Sequence, residues 1–395
     1  MSGLSVDFEL MEPEELEELA VKRINEGKLK EGLKLTLRAA RGYERGGKIK
    51  EAARLYRYLG YLVLEKTGDL GKARPPILKS AYLYIDLIDA EVSKPEVDVD
   101  VLDEYCSNVL EAFATLNDRK NLMKYAGEFA KIYEDLGNTY EDRDDVTMAI
   151  RTYESAHRYY SLMDDGESYK RLNEKLISLY GQLAESRLEN GDVEGAAEAF
   201  YRLAGYILSI FGYDIHFMEM MDTAAKNFEK ASKLSYSNGD LDGTTTNLLK
   251  AQYAYLLAKN PNRAKLIGIN NARILHQVVS SYLAKSDNEK AAEKLMELTE
   301  SLIGIGKLKE AIETYRSVLE TESDLKFRVR VRLAVLKHHA ATEGSEELLG
   351  DIATLEYHLN RGTHTKAFEL AEKVMLREGL GEVLRMIHRA EGIYE

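Results

Sequence analysis

A short polar turn keeps returning along this sequence. It reads Gly27-Lys-Leu-Lys-Glu-Gly32, Gly47-Lys-Ile-Lys-Glu-Ala52 and Gly191-Asp-Val-Glu-Gly-Ala196, then Asn288-Glu-Lys-Ala291, Gly306-Lys-Leu-Lys-Glu-Ala311 and Gly362-Thr-His-Thr-Lys-Ala367. Each copy lies between two apolar runs of 3.6-residue period. It therefore ends one helix and opens another, with glycine supplying the left-handed C-cap. The small residue that closes the turn lets the two helices approach closely. Helix–turn–helix units repeated in this way bury their apolar faces only by stacking on one another, which is the logic of a solenoid. The chain is expected to be all-α. Proline agrees: the stretches 96–260 and 262–395 contain none, as long helices require.

The residues around the turns sharpen the expectation. Residues 295–318 place Leu295, Leu298, Thr299 and Leu302 before Gly306, and Ala311, Tyr315 and Val318 after it. Residues 36–56 repeat the pattern with Ala40, Tyr43, Gly47, Ala52 and Tyr56, and residues 180–200 with Tyr180, Leu183, Ala184, Gly191, Ala196 and Phe200. A weaker copy has Val146, Ala149, Tyr153 and Ala156. From about Pro13 onward this pattern resembles the tetratricopeptide superfamily. The period departs from that family, since Gly191 to Gly239 spans 48 residues and Asp240 to Asp287 spans 47, against about 34 in the standard repeat. There is no tryptophan. Helices of about five or six turns follow, an architecture closer to the soluble NSF attachment proteins and related long-helix members. The resemblance implies a right-handed superhelical solenoid of antiparallel helix pairs that binds other proteins and carries no catalytic centre.

Domain boundaries are faint. We expect an acidic N-terminal tail over residues 1–12 and one continuous solenoid over 13–395, with kinks near the polar stretches 91–100, 137–145 and 259–263. The net charge of −13 opposes generic nucleic-acid binding. The N-terminal sequence lacks the basic and apolar regions of a secretory signal. The nearly uncharged stretch from Leu203 to Tyr213 is about half a membrane span. A cytoplasmic protein without membrane insertion is the expectation, with self-association left open.

Several chemistries lack their residues. Cys106 is the only cysteine, so neither a disulfide framework nor a multi-cysteine metal site can form within the chain. The eight histidines contain no HExxH, and the adjacent pair His338-His339 points to different helix faces. Asn238-Gly-Asp240-Leu-Asp242-Gly243 opens like a calcium loop, but Leu249 stands where the bidentate glutamate belongs. Glu141-Asp142-Arg143-Asp144-Asp145 is similar to the magnesium-holding clusters of all-α isoprenoid enzymes, yet Asp86 and Asp89 make a poor second cluster. No phosphate-binding glycine loop or nucleophile elbow appears. No cofactor, metal or catalytic residue is expected. The competing reading is an all-α enzyme or small-molecule sensor with a ligand cavity enclosed by the helices.

One positive signal remains. Lys34, Arg38, Arg41 and Arg45 recur at i, i+4, i+7 and i+11 and form a single stripe along a helix. Lys50, Arg54 and Arg57 repeat the spacing on the next one. Between Lys28 and Arg57 ten Lys or Arg face three Glu, a local polarity able to steer an acidic protein or peptide partner. These seven cations are the candidate partner-binding residues. Two plainer readings stand beside that one: a solvated face, and neutralisation by Glu14, Glu15, Glu17 and Glu18 of the first helix. Two other segments stand out. In the run Leu325–Leu333, Arg328 and Arg332 share one helix face and Lys326, Arg330 and Lys337 another, suggesting cations that snorkel around a buried helix. His216-Phe-Met-Glu-Met-Met221 offers methionines either as core filler or as an adaptable docking surface.

Overall fold

A computed structural model of the chain describes residues 11–163, 165–321, 324–343 and 346–393. Residues 1–10, most of the expected acidic tail, lie outside the described residues, and Glu12 is the N-cap of the first helix. Every element among the described residues is an α-helix.

The chain divides into two compact units, Met1–Tyr169 and Lys170–Glu395. The first holds α1 (Pro13–Asn25), α2 (Leu29–Arg45), α3 (Ile49–Thr67), α4 (Leu70–Val92), α5 (Val99–Thr115), α6 (Arg119–Asp142) and α7 (Val146–Met163). The boundary falls inside α8 (Gly166–Glu189). The second unit continues with α9 (Val193–Phe211), α10 (Ile215–Ser237), α11 (Leu241–Leu257), α12 (Pro261–Ala284), α13 (Asn288–Gly304) and α14 (Leu308–Thr321). It ends with α15 (Leu325–Glu343), α16 (Glu346–Asn360), α17 (His364–Arg377) and α18 (Gly381–Ala390).

The recurring turn does what its residues require. Gly27, Gly47, Gly191, Gly306 and Gly362 all sit at positive φ, between 71° and 83°, in the left-handed region that costs other residues energy. The alanines that close these turns, Ala52, Ala196, Ala291, Ala311 and Ala367, are wholly buried, as close helix approach demands. Within α3–α4, Ser80 donates to the Ala53 carbonyl at 2.8 Å, while Gly60 lies against Ala73 and Ile77. One index climbs as the other falls, so the pair is antiparallel. The same holds for α1–α2, where Gly32 meets Ile24 and Gly42 meets Pro13. In the second unit alternate helices also pack, α11 on α13, α13 on α15 and α15 on α17. Hairpins of that unit thus stack on one another, and its helical-repeat architecture follows from contacts that no single hairpin makes alone.

The polar stretch 137–145 departs from its sequence reading, because residues 137–142 continue α6 and only 143–145 make the connection. Gly137 is not a helix stop. A Cβ there would come within 2.5 Å of the Tyr153 ring, whose hydroxyl lies 2.7 Å from both the Asn138 amide oxygen and the Glu141 carboxylate. The glycine makes room for an aromatic ring of α7. Gly137→Ala should therefore destabilise the protein by about 1–3 kcal/mol through overpacking, although helix propensity alone favours alanine by about 1 kcal/mol. Urea unfolding followed by circular dichroism reads the sign directly.

Candidate partner-binding face

The predicted cation stripe begins on α2. Leu35, Thr36, Ala39, Ala40 and Tyr43 are buried on one side of that helix, so Lys34, Arg38, Arg41 and Arg45 stand exposed on the other. At 1.5 Å per residue the row is about 16 Å long. The ion pairs of α2 belong to its acids: Glu31 with Arg23 at 3.4 Å and Glu44 with Lys79 of α4 at 2.5 Å. None of the four row cations makes a salt bridge among the described residues. The Lys79 ammonium holds the Glu44 carboxyl below its ordinary value, with smaller help from the Tyr56 hydroxyl and the Arg41 charge, and the Arg45 Nε donates to the Arg41 carbonyl at 3.3 Å.

The other half of the stripe is engaged. On α3, Lys50 pairs with Glu104 of α5 at 3.1 Å, and Arg57 with Glu111 of α5 at 2.7 Å. Arg54 pairs with Glu17 of α1 at 2.6 Å, and Lys48 beside it with Glu14 at 2.5 Å. Lys50 also lies over the Tyr105 ring and Arg57 over that of Tyr61. These cations join α1, α3 and α5, and Arg151 of α7 carries the ladder on to Asp100 of α5. The seven residues singled out by spacing are thus divided. Lys34, Arg38, Arg41 and Arg45 form an outward row, whereas Lys50, Arg54 and Arg57 tie helices together. Neutralisation by the acidic first helix applies to Arg54 alone among the seven.

The second unit holds a larger charged assembly, which spacing did not reveal. Arg330 of α15 grips Glu300 of α13 at 2.7–2.8 Å through two nitrogens and Glu293 at 2.6 Å through the third. Lys326 adds a 2.5 Å bond to Glu293. Lys337 meets Glu356 of α16 at 2.6 Å, and Tyr201 of α9 donates to the same carboxylate at 3.1 Å. Lys294 of α13 holds Glu297, Thr245 and Thr246. The snorkelling expected of α15 is corrected here: Arg332 is wholly buried and pairs with Glu391 and Glu372. The carboxylate partners of Lys326, Arg330 and Arg332 all lie 30 or more residues away in sequence, beyond the reach of a periodicity argument.

The remaining motifs resolve into structure. Asp145 caps α7 by accepting from the Met148 amide at 3.1 Å, while Glu141 and Asp142 belong to the last turn of α6. Asp240 caps α11 through the Gly243 amide at 2.9 Å, and the Asp242 carboxylate takes the Tyr282 hydroxyl and the Lys294 ammonium. Phe217 and Met221 are buried in the core, His216 pairs with Asp214 at 2.9 Å, and Met218 and Met220 are half-buried. Cys106 is wholly buried, and burial pushes its thiol far above its ordinary value. Among the described residues no three His, Cys, Asp or Glu side chains converge as metal donors, and no helix is long and apolar enough to cross a membrane.

No protein-family model matches the chain, and no curated protein does. Solved structures align with it at low identity. One is a signal-transduction ATPase with a tetratricopeptide repeat sensor from Pyrococcus horikoshii, 14% identical, with 92% of this chain and 50% of that one covered and a TM-score of 0.33. A Rap protein in complex with competence and sporulation factor is 12% identical, with coverage of 90% and 99% and a TM-score of 0.29. A circular tandem repeat protein is 16% identical, with coverage of 93% and 97% and a TM-score of 0.26.

Proposed function

We propose that this protein is a non-catalytic interaction scaffold whose α2 row, Lys34, Arg38, Arg41 and Arg45, receives an acidic peptide or helix of a partner protein. One observation carries the reading: these four cations are exposed and without salt bridges among the described residues, while their neighbours on α3 are paired inside the molecule. An exposed row of one sign raises the local concentration of the opposite sign and sets the orientation of docking. Apolar contacts from the half-buried Leu33 and Leu37 beside the row supply the part of the affinity that salt does not screen.

The test uses a labelled helical peptide with glutamate at i, i+4, i+7 and i+11. Parent protein should bind it at low salt, and binding should weaken as the Debye length falls from about 30 Å at 0.01 M to about 8 Å at 0.15 M salt. Arg38→Glu with Arg41→Glu should cost about a hundredfold in affinity, since each reversal replaces attraction by repulsion of one to a few kcal/mol. Unchanged affinity in that variant, with its circular dichroism intact, rules the assignment out.

A further inference from the structure

The first helix is held less deeply than the two that follow it. Only Leu16 and Ala20 of α1 are buried, against six residues of α2 and seven of α3. Among the described helices α1 packs closely on α2 alone. Its grip on α3 is electrostatic, through Glu14 on Lys48 and Glu17 on Arg54, and both cations are more than half exposed. Few buried apolar contacts and water-facing ion pairs mark a segment of low local stability.

The surface beneath α1 is nevertheless shaped for a helix. On α2 a Cβ at Gly32 would lie 2.4 Å from the Ile24 side chain and 3.2 Å from the Ala20 carbonyl, and one at Gly42 would lie 2.7 Å from the Pro13 ring. Two glycines ten residues apart thus let a second helix lie directly on α2. Next to Gly42, Tyr43 donates to Glu17 at 3.2 Å.

We propose that α1 is a releasable strap over a helix-receiving groove, formed by Gly32, Gly42, Tyr43, Lys48 and Arg54, which takes an acidic amphipathic helix of another protein when α1 lets go. The strap itself spells out the ligand. Acids stand at Glu14 and Glu17 and apolar contacts at Leu16 and Ala20, so one edge of the incoming helix is acidic and its centre is small and apolar. Charge complementarity commits the groove to an acidic partner. The proposal shares with the α2 row only the class of ligand, because the row cations are exposed whereas Gly32, Gly42 and Tyr43 meet α1.

The strap sequence supplies the probe: a labelled synthetic peptide of residues 12–26, added to the full chain. Leu16→Glu with Ala20→Glu removes the apolar anchor of α1 and leaves the groove untouched. That variant should capture the peptide about tenfold or more tighter than the parent, whose groove is open only in a minor fraction of molecules. Adding Gly32→Ala and Gly42→Ala, or Lys48→Glu and Arg54→Glu, should abolish capture. Adding Arg38→Glu and Arg41→Glu should leave it unchanged, which separates this site from the α2 row. Hydrogen exchange of the parent should show α1 opening faster than α2, α3 and α4. The proposal is overturned by an α1 that exchanges as slowly as α2, by a strap variant that captures no peptide, or by capture that depends on Arg38 and Arg41.

Discussion

Replacing Arg332 with methionine should lower the unfolding free energy of the second unit by about 3–5 kcal/mol, the usual cost of removing one partner from a buried ion pair. Arg332 of α15 is wholly buried and so is the Glu391 side chain. All five guanidinium protons are used. NH1 donates to Glu391 at 2.7 Å and to the Arg328 carbonyl at 2.8 Å, NH2 to Glu391 at 2.9 Å and to Glu372 at 2.8 Å, and Nε to Glu372 at 3.3 Å. The Phe368 ring lies 4.3 Å below, and Tyr315 donates to the same Glu391 carboxylate at 2.8 Å. Methionine fills the volume of the aliphatic stem but strands Glu391 in a dry site. The cost should therefore fall mostly away when Arg332→Met is combined with Glu391→Leu, since an apolar pair of similar shape needs no compensation. Hydrogen exchange in α14, α15 and α18 identifies the unit that responds. A single variant that unfolds like the parent removes the ion pair from the account of stability.

The same cluster gives a pH dependence with a definite sign. Burial alone raises the Glu372 carboxyl, but His388 and Arg332 together hold it below its ordinary value. A carboxylate depressed in the folded state stabilises that state above its unfolded pKa. The contribution is then lost as pH falls through the folded value. Acid should loosen α17 and α18 ahead of helices whose acids are fully exposed.

How far the sequence could be read follows from the distance over which each signal acts. Turn glycines and their closing alanines are local features, and they mark the hairpins because a left-handed cap and a close helix approach each restrict residue type within a few positions. Other turns lack the glycine, and one of them, at Asn117, passed unnoticed. Asn117, Asp144, Lys259 and Ser286 hold φ between 52° and 58°, a conformation costly for side chains and therefore weakly signalled by composition. Gly137 misled in the opposite direction, because its absent side chain serves a ring sixteen residues later and not a turn. The cation stripe was legible as a pattern but not as a site. Periodicity placed Lys50, Arg54 and Arg57 on one face, and only the packing of α1 and α5 showed acids waiting there. On α15 the partners of Arg330 and Arg332 come from α13, α17 and the end of α18, set by stacking of hairpins and not by any local spacing.

The crossing of α11, α12 and α13 carries the second large effect, at a residue type the sequence uses only three times. Gln252 is wholly buried. Its amide nitrogen donates to the Ser301 carbonyl at 3.0 Å, and the Ser301 hydroxyl lies 3.0 Å from its amide oxygen and 3.1 Å from the Gly268 carbonyl. The amide fits because Gly268 and Gly304 leave it room: a Cβ at either would come within 2.4 Å of its nitrogen, and at Gly268 also within 2.4 Å of Ile305. Gly268→Ala should destabilise the second unit by about 2–4 kcal/mol, combining overpacking with hydrogen bonds left unmade in a fully buried site. Gln252→Ala should also destabilise, yet the two changes together should cost less than their separate effects combined, because removing the amide vacates the space that the new methyl needs. Guanidinium unfolding of the three variants gives that coupling. Helix propensity by itself asks for the opposite result at Gly268, a gain of about 1 kcal/mol for alanine in mid-helix. The sign of one substitution therefore decides whether local preference or the three-helix contact governs this crossing.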